Sequence, residues 1–229
     1  MLSPEELQII GLSLKVAVTA TLFSLPPGIA LAYLLSRRDF PGKILVSGLT
    51  YLPLVLPPVV TGYGLLILFG RNGPIGGWLE PMGIVFAFDW TGAALAAAIM
   101  GFPLLVRAVQ LSFDLIDPRI ERAAETLGAR PFTRFLTITL PLALPGVAAG
   151  TVLAFAKALG EFGATITFVA NVPGETRTLP LAIYSLTQVP GGEAAALRLV
   201  LISVAVSIGA LLVSERLARA AARRVGGRP

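Results

Sequence analysis

Apolar positions fall into five long runs, at residues 9–35, 44–69, 90–113, 142–162 and 197–215. A helix over the first run would be about 40 Å long, more than the roughly 30 Å hydrocarbon core of a bilayer. Pro26-Pro27-Gly28 interrupts it and predicts a kink rather than an end. The second run holds Pro53, Pro57, Pro58, Gly62 and Gly64. A helix of that composition leaves backbone groups unpaired, which is tolerated at membrane depth only against other protein or along a water-filled path. Two readings follow: a kinked packing helix, or one that lines a pathway, where Pro53, Pro57 and Pro58 could shape a gate. The third run is smooth and alanine-rich (AALAAAIMGF), a pattern that permits close helix packing. Between the fourth and fifth runs, segment 163–193 contains apolar pieces at 164–172 and 179–186, each too short to span. They are expected as an extension of the fourth helix and a re-entrant or surface helix on the outer side. The pattern predicts an all-α integral membrane protein of about five spans, some kinked or broken.

One stretch departs from this apolar rhythm: residues 117–145, DPRIERAAETLGARPFTRFLTITLPLALP. Asp117 is a suitable N-cap and Pro118 a suitable first helical residue, since proline there gives up only a donor that had no partner. Gly128 can close the helix in the left-handed conformation. Ile120, Ala124 and Leu127 form a narrow apolar stripe among Arg119, Glu121, Arg122 and Glu125. A second short turn begins at Pro131, with Phe132, Phe135 and Leu136 on one side. Two small helices within loop 114–138, carrying apolar and charged faces at a membrane surface, are suited to receive a partner. The rival reading is an amphipathic helix lying on the bilayer.

Composition narrows the class. Of 229 residues, 55% are hydrophobic and 14% charged, against about 25% charged in a soluble domain, so lipid must be part of the solvent. The chain has no Cys and no His, which removes thiolate nucleophiles, disulfides, Cys/His metal sites and imidazole bases. The N-terminus bears acids where a cleaved signal would be basic, so the first run is expected to remain as an anchor. The net charge of +5 does not mark a nucleic-acid binder, because the arginines lie between and after apolar runs rather than on a folded polar face. Putting loop 36–43, loop 107–137 and the basic tail 219–229 on one side collects most of the 18 Lys and Arg. The positive-inside rule makes that side cytoplasmic, with the N-terminus outside and the C-terminus inside.

No glycine loop followed by Lys-Ser/Thr is present, so ATP-driven transport would require a separate ATPase chain. No span carries a carboxylate in its interior, Glu161 lying at the end of the fourth run, which weighs against an ion-coupled carrier or channel; no acid, Ser or Lys cluster supports a membrane enzyme. Lys157 and Glu161 share a helical face. They either snorkel at the outer interface or form a gate or path element. Thr151, Thr165 and Thr167 either line a polar path or simply pack. Arg177 either attracts an anion from outside or pairs with Glu175.

The spacing Ala123-Ala124, Gly128, Ile138, Leu140-Pro141 resembles the EAA signature of inner-membrane permease subunits of binding-protein-dependent ABC importers. One position departs: the first glutamate of that signature is Arg122 here, with acids at Glu121 and Glu125. LPLVLPPVVTGYGLL (52–66) and LGEFGATITFVANVPGETRTLP (159–180) resemble the molybdate branch, close to sulfate, thiosulfate and tungstate permeases. The likeness runs along nearly the whole chain, with a five-span unit over 9–218. It implies the type I ABC importer permease fold and coupling helices in the cytoplasmic loop. It implies an ATPase-docking surface built from Glu121, Arg122, Ala123, Ala124, Leu127, Gly128, Ile138, Leu140 and Pro141. Candidate path or gate residues are then Pro53, Pro57, Pro58, Thr151, Lys157, Glu161 and Thr165. Implied partners are a second copy of the chain, two ATP-binding cassette subunits, an external molybdate-binding protein and membrane lipid. The chain itself would be non-catalytic and hold no cofactor or metal, ATP and Mg²⁺ being bound by the ATPase.

Overall fold

A computed structural model describes residues 3–224. Its first helix, α1 (Pro4–Arg37), begins earlier than the apolar run suggests because Ser3 and Glu6 form a reciprocal capping box. The Ser3 hydroxyl accepts from the Glu6 amide at 3.1 Å, and the Glu6 carboxylate accepts from the Ser3 amide at 2.7 Å. The helix continues through Pro26 and Pro27, as predicted.

The second run is not a single kinked rod. It divides into α2 (Lys43–Val55) and α3 (Pro58–Phe69), bent by 115°. The cause is two prolines in series, each excluding its predecessor from helical geometry. Leu56 and Pro57 are accordingly extended, with ψ of 143° and 133°. Pro58 then opens α3, where its missing amide costs nothing.

After a connection with two short helical turns, α4 (Gly76–Leu79) and residues 80–82, comes α5 (Trp90–Asp114), capped by Asp89. Helix α5 is the centre of the bundle, between α1 and α8. Ala93, Ala96, Ala97, Leu105, Val106, Val109 and Phe113 are all buried along it. Two short helices, α6 (Pro118–Thr126) and α7 (Pro131–Arg134), follow. A π-helical turn, Phe135–Thr139, then runs without a break into α8 (Leu140–Leu159). The apolar helix therefore starts at Pro131, not Leu142. The extension expected beyond α8 is interrupted at Gly160; α9 (Gly163–Val169) and α10 (Leu179–Thr187) are separate and short. The last helix, α11 (Glu193–Arg224), absorbs the first part of the expected basic tail. Residues 225–229 of that tail lie outside the described residues.

Four helical stretches are each long and apolar enough to cross a bilayer, and the bent α2–α3 pair makes a fifth. Helices α1, α5 and α11 run from one end of the bundle to the other, and α8 returns. Side chains such as Phe23, Ile44, Val55 and Leu211 lie exposed on the outside, a surface that lipid covers.

Candidate functional site

At one end of the bundle, α6 is built as its sequence demands. Asp117 accepts from the Arg119 amide at 2.8 Å, and Pro118 is the first helical residue. Gly128 takes φ +84°. The Gly128 amide bonds the Glu125 carbonyl at 2.9 Å and the Ala129 amide bonds the Ala124 carbonyl at 3.0 Å, a Schellman closure. The predicted stripe is not what packs. Ala124 faces inward, but Ile120 is 45% and Leu127 88% exposed. With Arg122, Ala123, Gly128 and Phe132, also exposed, they make an outward surface of mixed apolar and cationic character. Ile138, Leu140 and Pro141 are half-buried at the start of the following rod, away from that surface's centre.

Glu121 turns the other way, at 9% exposure. Its Oε1 accepts from Arg37 Nε at 3.2 Å and from the Thr139 hydroxyl at 3.0 Å. Arg37 also donates through Nη2 to the Ile116 carbonyl at 3.1 Å. The inward turn of Glu121 is why Ile120 and Leu127 are left outside: a short helix cannot bury both faces, and the ion pair decides which one faces in. Nearby, Arg134 bridges to Glu125 at 2.9 Å, Ser36 bonds Asp114, and Tyr33 packs edge-on against Phe113 and Phe135. Sequence patterns give no hint of these partners, because Arg37 and Glu121 lie 84 residues apart. The available signal was position: Arg37 ends the first apolar run, and Thr139 sits between Ile138 and Leu140 of the motif.

The candidate path residues meet only in part. Lys157 Nζ lies 2.7 Å from Glu161 Oε2, and Glu161 Oε1 accepts from the Ala164 amide at 3.0 Å. Glu161 is 3% exposed, so it is an internal cap on α9 rather than a snorkelling surface acid. The N-terminal turn of α3 presses on this joint: Pro58 abuts Gly163, and Gly62 lies directly on the backbone of Ala164. The Thr61 hydroxyl is buried with no partner, and Thr165 is buried in α9. Pro57 borders the joint at the α2–α3 break, whereas Pro53 lies within α2. Thr151 sits lower on α8, roughly 9 Å along the axis from Lys157, and its hydroxyl bonds the Val147 carbonyl, as Thr167 bonds Gly163.

At the end opposite α6, Arg177 does not pair with Glu175. It reaches Glu5 at 3.4 Å and the Asn171 side chain at 3.1 Å, while Glu6 pairs with Arg198 at 3.0 Å. Segment 171–180 thereby closes over the start of α1, with the Leu179 amide donating to the Ser13 hydroxyl at 2.7 Å.

Spanning helices interrupted by prolines, together with a capped amphipathic helix pair at one end, are the architecture of importer permeases. The chain belongs to the family of binding-protein-dependent transport system inner membrane components, matched over residues 24–226. It is thus a multi-pass inner-membrane protein. Within that family it is 58% identical to the molybdenum transport system permease protein ModB of Escherichia coli K12, over 99% of both chains. It is 54% identical to ModB of Haemophilus influenzae, over 96% of this chain and 97% of that one. Its fold matches a chain of a bacterial ABC transporter that imports the acidic polysaccharide alginate, with a TM-score of 0.76. That match covers 95% of this chain and 80% of the other at 18% identity, a likeness of fold.

Proposed function

We propose that this chain is the membrane permease subunit of an ATP-driven importer for the tetrahedral oxyanion molybdate. The observation that carries the substrate is the 58% identity, sustained from end to end, with a molybdenum transport permease. Two copies would form the pathway, two ATP-binding cassette subunits would hydrolyse ATP with their own Mg²⁺, and an external binding protein would deliver the anion. The chain itself contributes no catalytic group and binds no cofactor. The basic α6 end faces the cytoplasm in this reading and the N-terminus faces outside, as the distribution of arginine favours.

The docking surface is the outward side of α6. Ile120, Ala123, Leu127 and Phe132 supply apolar area, Gly128 allows close approach, and Arg122 replaces the signature's glutamate with a cation. The matching groove on the ATPase should therefore offer a carboxylate opposite Arg122. Closure of the ATPase pair pushes on α6, and α1, α5 and α8 transmit the push as a change between two packed states.

The test is ATP hydrolysis by the chain reconstituted with its ATPase and a molybdate-loaded binding protein. Stimulation by molybdate and not by sulfate is the expected result. Stimulation by sulfate alone would move the substrate and keep the mechanism. Failure of the chain to assemble with any ATPase would overturn the importer reading.

A further inference from the structure

We infer that Glu121, Arg37 and Thr139 form a positioning device for energy coupling, a largely buried strut through which α6 drives the membrane helices. The inference rests on the proposed docking of α6 on an ATPase. It departs from what the signature implies in its assignment of Glu121. An acid in the signature segment is expected to serve the partner; here the carboxylate is directed into the chain's own helices.

The geometry is that of a junction. One carboxylate oxygen of α6 accepts from α1 through Arg37 at 3.2 Å and from the π-helical lead into α8 through Thr139 at 3.0 Å. The same Arg37 holds the Ile116 carbonyl, at the joint between α5 and α6, at 3.1 Å. Three membrane helices and the docking helix therefore converge on one ion pair. Apolar packing does not do this work, because Glu121 and Ala124 are the only buried residues of α6. The second polar tie, Arg134 to Glu125, reaches only α7, and its carboxylate is exposed.

A buried ion pair is an inefficient way to gain stability, since desolvation offsets most of the attraction; its best-attested use is to fix one geometry against others. Here the geometry fixed is the roll of α6 about its own axis. With Glu121 held, a push on Ala123 and Leu127 cannot be absorbed by rotation of a nine-residue helix. It must displace α1 and α8. Arg38, Arg122, Glu125 and Arg134 line the adjoining open cavity.

The experiment uses the full complex in liposomes and reads molybdate taken up per ATP hydrolysed, alongside co-purification of the ATPase. Arg37→Met and Thr139→Val alter residues that do not contribute to the outward surface of α6. The complex should still assemble, while uptake per ATP should fall by about tenfold for Arg37→Met, within the range of ordinary coupling energies, and less for Thr139→Val. Exchange of the pair, Arg37→Glu with Glu121→Arg, should recover part of the loss. Uptake per ATP at the wild-type level in Arg37→Met would overturn the strut. So would loss of ATPase binding in both single variants, which would make these residues part of the docking surface or the fold. A wild-type complex that never binds an ATPase would instead refute the functional reading on which the strut depends.

Discussion

The joint where α6 meets α1 and α8 and the joint where α3 meets α9 are closed by different chemistry. At the first, directional polar bonds carry the contact: a guanidinium and a hydroxyl each donate to one carboxylate oxygen, at 3.2 and 3.0 Å. At the second, one backbone lies on another. A Cβ added at Gly62 would come 2.5 Å from the Ala164 carbonyl oxygen and 2.8 Å from its Cα. A polar joint is sensitive to charge and orientation and tolerant of small changes in volume; a glycine joint is the reverse. The first suits a lever, which must not slip. The second suits two surfaces that pass between packed states, because no side chain has to disengage before one helix moves over the other.

The largest effect should come from adding volume to the glycine joint. Gly62→Val should destabilise the solubilised protein by about 3 kcal/mol, the upper end of overpacking costs, because the obstruction is backbone and cannot change rotamer. Thermal unfolding in detergent checks this, and a stability loss below that of an exposed-site control would show that the joint is looser than its geometry. A smaller effect is expected at the polar end. Gly128→Val places a β-branched residue at φ +84° and should cost about 1–2 kcal/mol, with nothing near the new Cβ to add a clash. Its distinguishing sign is functional: molybdate-stimulated ATP hydrolysis should fall while the membrane core unfolds nearly as before. Full coupled hydrolysis in this variant would mean that the left-handed cap is dispensable. The smallest effect belongs to Glu125→Gln. Its bridge to Arg134 is exposed on the carboxylate side, so stability should change by about 0.5 kcal/mol and the difference should vanish in high salt.

Local signals were legible. Asp117, Pro118 and Gly128 act through neighbours a few residues away, and each does in the structure what its side chain or backbone freedom dictates. The alanine row of α5 and the shortness of α9 and α10 also follow from composition and length alone. Long-range choices were not legible. Nothing near Arg37 signals Glu121, and nothing near Arg177 signals Glu5, which lies 172 residues away. The apolar stripe of α6 is present in the sequence, yet the helix faces inward along its acid instead. A nine-residue helix can turn only one face inward, and the directional bonds of Glu121 to Arg37 and Thr139 fix which one. The prolines of the second run mark an interruption but not the size of the bend, which depends on two successive residues leaving helical geometry together.

The break between α2 and α3 also bears on how the chain enters a membrane. Thirteen and twelve residues long, the two helices would be about 20 Å and 18 Å in length, and neither reaches across a hydrocarbon core of roughly 30 Å. During synthesis neither half is sufficient as a membrane-insertion signal. The pair must partition into lipid as one unit, already broken at Leu56-Pro57 by the two prolines, and α3 meets the glycine and alanine surface of α9 only once that part of the chain has been made. Until then the segment is an incomplete span whose free carbonyls have no protein neighbour. A chain interrupted between α5 and α9 is therefore left with an unfinished second crossing, a natural target for membrane quality control.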